Sequence, residues 1–188
     1  AEIMNTAEER IAAVREIMGK DGEVLLENHA MTDAVSSIQF ARIAEKYDPM
    51  FLEEPATPTN HKVFEKIAAK TSIPLATGER TFSRWGFRPL IESGCISIAQ
   101  PDIGNCGGIT ECKKICDFAH LYDIGIQTHV CSSPISVAVS LQFEAALPNF
   151  VIHEHHCGNT LPGIACLGKY NYQPKDGYFA VSYTHLTL

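Results

Sequence analysis

The most constraining feature of this chain is a recurrence. Three apolar runs each end in a carboxylate, and the carboxylates stand 26 residues apart: Val24-Leu25-Leu26 ends in Glu27, Phe51-Leu52 in Glu53, and Pro74-Leu75-Ala76-Thr77-Gly78 in Glu79. Short apolar runs bounded by turn residues read as buried strands. Three strand tips therefore present three acids at one pitch. Each alone reads as an exposed strand-end acid, but the common spacing argues for convergence. Carboxylates brought within about 4 Å repel by roughly 4 kcal/mol per pair at an effective dielectric near 20, so convergence calls for a cation. Hard oxygen ligands without cysteine or histidine favour Mg²⁺.

The rest of the chain repeats the strand-then-helix unit. Ile11, Val14, Ile17 and Met18 follow a Thr6-Ala7-Glu8-Glu9 capping-box pattern and precede Gly19, predicting an opening helix. Further helices are expected over about 32–46, after Asn60, over about 84–93, over 109–122, and from Ser133-Pro134 to Ala146. Strands are expected at 23–28, 49–54, 74–79, 96–100, 124–129 and 150–153. Such alternation with short connections means βαβ units and a parallel sheet. Chemistry-bearing residues stand at the tip of every strand, whereas an open doubly wound sheet gathers them at one switch point. The expected fold is thus an α/β barrel of the (β/α)₈ TIM type, incomplete here, with about six strand-helix units and no first strand. Residues 1–158 form its recognisable part and 159–181 a Gly-, Pro- and Tyr-rich segment of the same domain. Residues 182–188 follow no strand or helix pattern.

Composition narrows the function classes. A chain of 188 residues with 45% apolar content can bury a real core, and a formal charge of −7 argues against nucleic acid or an anionic membrane as partner. No apolar run approaches a membrane span and no signal-peptide pattern opens the chain. The expected location is the cytoplasm, and the seven cysteines, lacking zinc-type spacing, are expected free, reduced and mostly buried.

Alternation along a strand places His29 on the face of Glu27. Gln100-Pro101-Asp102, Gln127-Thr128-His129 and His153-Glu154 end the last three strands. Neighbouring strands lie about 4.7 to 4.9 Å apart, so Asp102 can accept a hydrogen bond from His129, fixing its tautomer and raising its basicity. His61, His120, His153, His155 and His156 are expected to be ordinary surface or core residues. The Gly104/Gly107/Gly108 cluster lacks the lysine and spacing of a nucleotide loop, and His153-Glu154-His155-His156 lacks the paired histidines of a zinc protease.

Together, Glu53-Glu54-Pro55, Gly78-Glu79-Arg80, Gln100-Pro101-Asp102-Ile103-Gly104, Gly107-Gly108-Ile109-Thr110-Glu111 and the succession Asp102, His129, Glu154 resemble the enolase superfamily. The likeness, over about residues 6–181, is to its mandelate racemase/muconate lactonizing subgroup and within it to sugar-acid dehydratases of the galactonate dehydratase kind. It implies a barrel preceded by a capping domain absent here, and Mg²⁺ held by Glu27, Glu53 and Glu79. It further implies His129 as general base with Asp102 behind it, His29 as general acid, and Glu154 as the carboxyl group that hydrogen-bonds the substrate carboxylate as it becomes an enediolate. Glu27 stands where these proteins usually carry Asp, so its longer side chain must fold back to meet a metal. The expected activity is a hydro-lyase reaction on an aldonic acid, with that small molecule and further copies of the chain as partners. The alternatives are a racemase or cycloisomerase of the same superfamily, or a fragment without activity. Those isomerases often place lysine on the strand of His29, and 24–30 contains none.

Overall fold

The computed structural model describes residues 2–131, 133–170 and 172–180. Helix α1 (Glu2–Met18) is followed by β1 (Leu25–Glu27), α2 (Ala34–Ala44), β2 (Phe51–Glu53), α3 (His61–Ala68), β3 (Leu75–Thr77), α4 (Ser83–Glu92), β4 (Ile98–Ala99), α5 (Ile109–His120), β5 (Gly125–Ile126), α6 (Pro134–Glu144) and α7 (Pro162–Ala165), with single 3₁₀ turns at Glu45–Tyr47 and Cys157–Thr160. Local chemistry sets most boundaries. Asp33, Asn60 and Ser133 cap α2, α3 and α6 by accepting from backbone N–H groups, and Pro134 occupies the first turn of α6. Gly19 and Gly94 take left-handed φ values of 67° and 66° just beyond α1 and α4. The capping-box expectation at Thr6 is corrected: α1 begins at Glu2, and Thr6 donates from inside the helix to the Glu2 carbonyl.

The five strands pair in parallel in the order β1-β2-β3-β4-β5. Sequential order without a reversal is what a barrel wall requires and a doubly wound sheet lacks. The sixth expected strand, 150–153, is reduced to one parallel bridge, Ile126↔Phe150. Its hydrogen bonds, Ile126 N to Asn149 O and Val151 N to Ile126 O, stop at Val151.

Two apolar layers flank the sheet. The outer face contributes Leu26, Leu52, Leu75, Ala99 and Ile126 to the main core, where helices bring Ala41, Phe64, Ile67, Phe87, Leu90, Ile91, Ile115 and Ala119. Burying each large side chain there contributes roughly 1.5–3 kcal/mol. The inner face carries a smaller cluster, Phe51, Ala76 and Ile98 with Met50. Its margins are open: Leu25 is 39% and Val151 38% exposed. Four cysteines, 95, 106, 112 and 116, are buried, while 131, 157 and 166 are exposed and all seven are free. Residues 182–188 lie outside the described residues. No helix among the described residues is long and apolar enough to cross a membrane.

Candidate active site

The strand tips gather the expected residues into a connected row. Register pairs Glu27 with Glu53 and Glu53 with Ala76, so both acids share the inner face with Phe51 and Ala76. Simple alternation from Ala76 would turn Glu79 outward. Gly78 prevents this by adopting φ 153°, and it lies so close to β4 that an added Cβ would come within 2.6 Å of the Gln100 carbonyl carbon. Only glycine satisfies both demands. Glu79 then lies between two imidazoles, with Oε1 3.6 Å from His29 Nε2 and Oε2 3.6 Å from His129 Nε2.

His29 arrives by a different route from the one alternation suggested. Its backbone is left-handed (φ 49°), as is that of Ala30 (φ 55°), and the turn is held to β2 by Asn28 N to Glu53 O (3.0 Å) and Ala30 N to Glu54 O (2.9 Å). Thr32 Oγ1 and Ser37 Oγ both donate to the Pro55 carbonyl, tying the start of α2 to the same loop.

His129 is the more firmly held. Its Nδ1 lies 2.8 Å from Asp102 Oδ2, while Asp102 Oδ1 accepts from Gly104 N (2.8 Å) and Asn105 N (3.0 Å). Burial favours the neutral imidazole, but the Asp102 hydrogen bond and the charges of Glu154, Glu79 and Asp102 prevail and push the His129 pKa up to about 9. Burial would raise Asp102, yet the hydrogen bonds from His129, Asn105 and Gly104 leave it lowered. Glu154 accepts from Val130 N at 2.9 Å; burial, assisted by Glu79 and Glu27, raises its pKa against the opposing pull of His129.

The acids divide between two environments. Ligand atoms of Glu27, His29 and Glu79 all lie within 4.8 Å of one another, whereas Glu53 stands outside this group. Two oxygens on opposite sides of a cation, each at about 2.1 Å, are about 4.2 Å apart, a span comparable to that of this group. Glu53 is pushed up to about 7, chiefly by burial, with Glu154, Glu27 and Glu79 adding repulsion and a hydrogen bond from Gln100 opposing. Gln100 in turn donates to Gln127 at 3.2 Å, forming a polar layer beneath the tips. Carboxylates crowded closely enough to raise Glu53 and Glu154 fit a hard divalent cation.

Sequence reasoning missed the groups behind the row. Glu54, fully buried and left-handed (φ 43°), accepts from Thr77 Oγ1 and from Arg80 Nη1 (2.6 Å), while the same Arg80 nitrogen contacts Glu79 Oε1 at 2.8 Å. Glu54 thus holds Arg80, and Arg80 orients Glu79. The adjacency of Glu54 to Glu53 and of Arg80 to Glu79 was the available signal.

This arrangement has relatives. A family model described as "Enolase C-terminal domain-like" matches residues 2–184. The chain belongs to this family. The enolase-like chain is also similar to solved structures of an enolase superfamily member from Salmonella Typhimurium (49% identity, 96% of this chain and 46% of that one, TM-score 0.93) and of a candidate dehydratase from Zymomonas mobilis ZM4 (43% identity, 97% and 46%, TM-score 0.92). A mandelate racemase/muconate lactonizing enzyme-like protein from Roseovarius sp. TM1035 is similar at 28% identity, over 94% of this chain and 44% of that one, with a TM-score of 0.87. The enolase-like chain therefore spans a little under half the length of these proteins. The fold is that of the TIM-barrel-like C-terminal domain of the enolase superfamily.

Proposed function

We propose that this domain is the catalytic part of a Mg²⁺-dependent sugar-acid dehydratase of the galactonate dehydratase kind, a hydro-lyase acting on an aldonic acid. The observation that carries the reading is the row Asp102, His129, Glu79, His29, in which one carboxylate lies 3.6 Å from each of two imidazoles. A proton α to a carboxylate is very weakly acidic, and removing it at neutral pH takes an aligned base and stabilisation of the charge that develops. Glu27, Glu53 and Glu79 would hold Mg²⁺, His29 serving as the acid beside it. Bound Mg²⁺ would supply electrostatic stabilisation of the substrate carboxylate and offset the charge of Glu79.

The side chains then divide the work. His129 Nε2 takes the α-proton, while Asp102 keeps the other ring nitrogen protonated. Glu154, its pKa raised by burial, is the carboxyl group that hydrogen-bonds the substrate carboxylate as the enediolate forms. Protonation of the departing β-hydroxyl falls to His29, which is exposed enough to exchange protons with solvent. The Asp102 hydrogen bond, reinforced by the surrounding carboxylates, raises His129 to about 9. With Mg²⁺ held beside Glu79 and substrate on Glu154, the part of that shift due to these two acids would weaken, favouring the free base nearer neutral pH.

Residues 1–158 and 159–181 are proposed as one catalytic domain. The seven free cysteines support a reducing, cytoplasmic setting, and we propose self-association of the complete protein. The test is a screen of the complete protein against aldonic acids with Mg²⁺ and after EDTA. Metal-dependent 2-keto product from one of them is expected. Stereoinversion without loss of water would favour a racemase, and turnover undiminished by EDTA would overturn the reading.

A further inference from the structure

Glu144 has no part in the chemistry above, yet it is a carboxylate only 3% exposed, in the last turn of α6. Its Oε1 accepts from Thr128 Oγ1 and its Oε2 lies 2.6 Å from His153 Nδ1. Thr128 and His153 immediately precede His129 and Glu154. Successive extended residues point to opposite faces, so Glu144 grips both tips from the outer face while their neighbours point inward. A buried carboxylate is costly unless it is hydrogen-bonded, and both oxygens here are used.

The backbone explains why such a grip is needed. Among the described residues, the ladder beyond β5 ends with Val151 N to Ile126 O, short of His153 and Glu154. Past that point the tips are joined at the front by Val130 N to Glu154 Oε2 and at the back through Glu144. Glu54 offers a parallel on β2 and β3, where a buried outer carboxylate accepts from Thr77 and Arg80 behind Glu53 and Glu79.

We infer that Glu144 is a positioning residue that clamps the tips bearing His129 and Glu154 and so sets the separation between base and carboxyl donor. The inference rests on the roles given to those two residues under Proposed function. The test uses Glu144→Ala, Glu144→Gln and Thr128→Val in the complete protein, with kcat, KM and Mg²⁺ affinity measured for each. Misplacement by about 1 Å costs on the order of 100-fold. Glu144→Ala should therefore lose about 10- to 100-fold in kcat while Mg²⁺ affinity stays within about twofold, because the metal ligands lie on other strands. Glu144→Gln, which keeps the span but not the charge, should stay within about fivefold of wild type. Thr128→Val should fall between them and combine non-additively with Glu144→Ala.

Nitrogen-15 spectra of His153 read the clamp without turnover. Wild type should show a proton held on Nδ1, and Glu144→Ala should lose that signature. If no aldonic acid turns over, the functional reading fails and the His153 spectrum still decides the clamp. Wild-type kcat in Glu144→Ala, an equal fall in kcat and Mg²⁺ affinity, or an unprotonated Nδ1 in wild type overturns the inference. Should Glu144→Ala not fold, wild-type kcat in Thr128→Val overturns it instead.

Discussion

The two histidines that flank Glu79 occupy unlike corners of the same site. His129 has a side chain 17% exposed, a 2.8 Å bond to Asp102, and behind Asp102 two backbone N–H groups. His29 is 62% exposed on its side chain, sits on a left-handed residue, and has Glu79 at 3.6 Å as its ion-pair partner. One imidazole is fixed by a chain of hydrogen bonds and the other by the path of the backbone. A base must be aligned with a C–H bond and keep one tautomer, whereas an acid that protonates a leaving group must also recover its proton from solvent. The difference in burial matches that difference in task.

The largest expected effect comes from removing the fixed imidazole. His129→Asn in the complete protein should lower both water loss and exchange of the α-hydrogen with solvent deuterium by at least about 10³-fold, within the range for a general base. Exchange measured by proton NMR checks this. His29→Asn should lower water loss by about 10²-fold yet retain exchange, and the ratio of the two rates measures how separate the corners are. Exchange that survives in His129→Asn and vanishes in His29→Asn would show the assignments to be reversed.

Asp102→Asn sharpens the comparison at smaller amplitude. Loss of the carboxylate behind the imidazole should cost about 10- to 100-fold, expressed in kcat, with Mg²⁺ affinity retained. A fall confined to KM would argue that Asp102 binds substrate instead.

A further effect is on stability rather than rate, and it separates the buried acid from the buried base. Glu53 is raised from 4.5 to about 7, so the metal-free folded state binds more protons than the unfolded one between those values. Its contribution is full below about pH 4.5 and is lost as pH rises through 7, amounting to about 3 kcal/mol for a shift of this size. His129, raised to about 9, adds a second loss between about pH 6.5 and 9. Thermal denaturation of metal-free protein should show stability falling across both windows, with Mg²⁺ restoring more at pH 8 than at pH 5. Glu53→Gln should shrink the lower window, to which Glu154 also contributes, and leave the upper one; a stability curve unchanged by that substitution counts against the burial and repulsion described for Glu53.

Several site features were readable before folding, and the failures are instructive. The apolar runs at 24–26, 51–52 and 74–78 announced strands, and the terminal acids of the first and third, Glu27 and Glu79, do lie near one another. The pairing of Asp102 with His129 followed from strand spacing alone. By contrast, a common pitch did not announce unlike surroundings: Glu27 and Glu79 cluster with His29, while Glu53 lies in a drier position. Exposure at a strand tip depends on neighbouring loops, which periodicity does not encode. The segment 150–153 had the composition of a strand but makes one bridge, because strand formation requires a partner in register as well as apolar residues.

What the sequence determined by itself was local: helices capped by Asp33, Asn60 and Ser133, strands alternating with them, and acids or histidines where the strands end. These follow from interactions spanning a few residues, which composition and spacing record. The tertiary structure alone decided the direction each terminal side chain takes. Gly78 turns Glu79 inward because β4 passes within contact of it, left-handed His29 reaches Glu79 because β2 holds its turn, and Glu144 meets Thr128 and His153 across the outer face of the sheet. Each of these depends on register between segments distant in sequence, and a one-residue slip would reverse the faces involved.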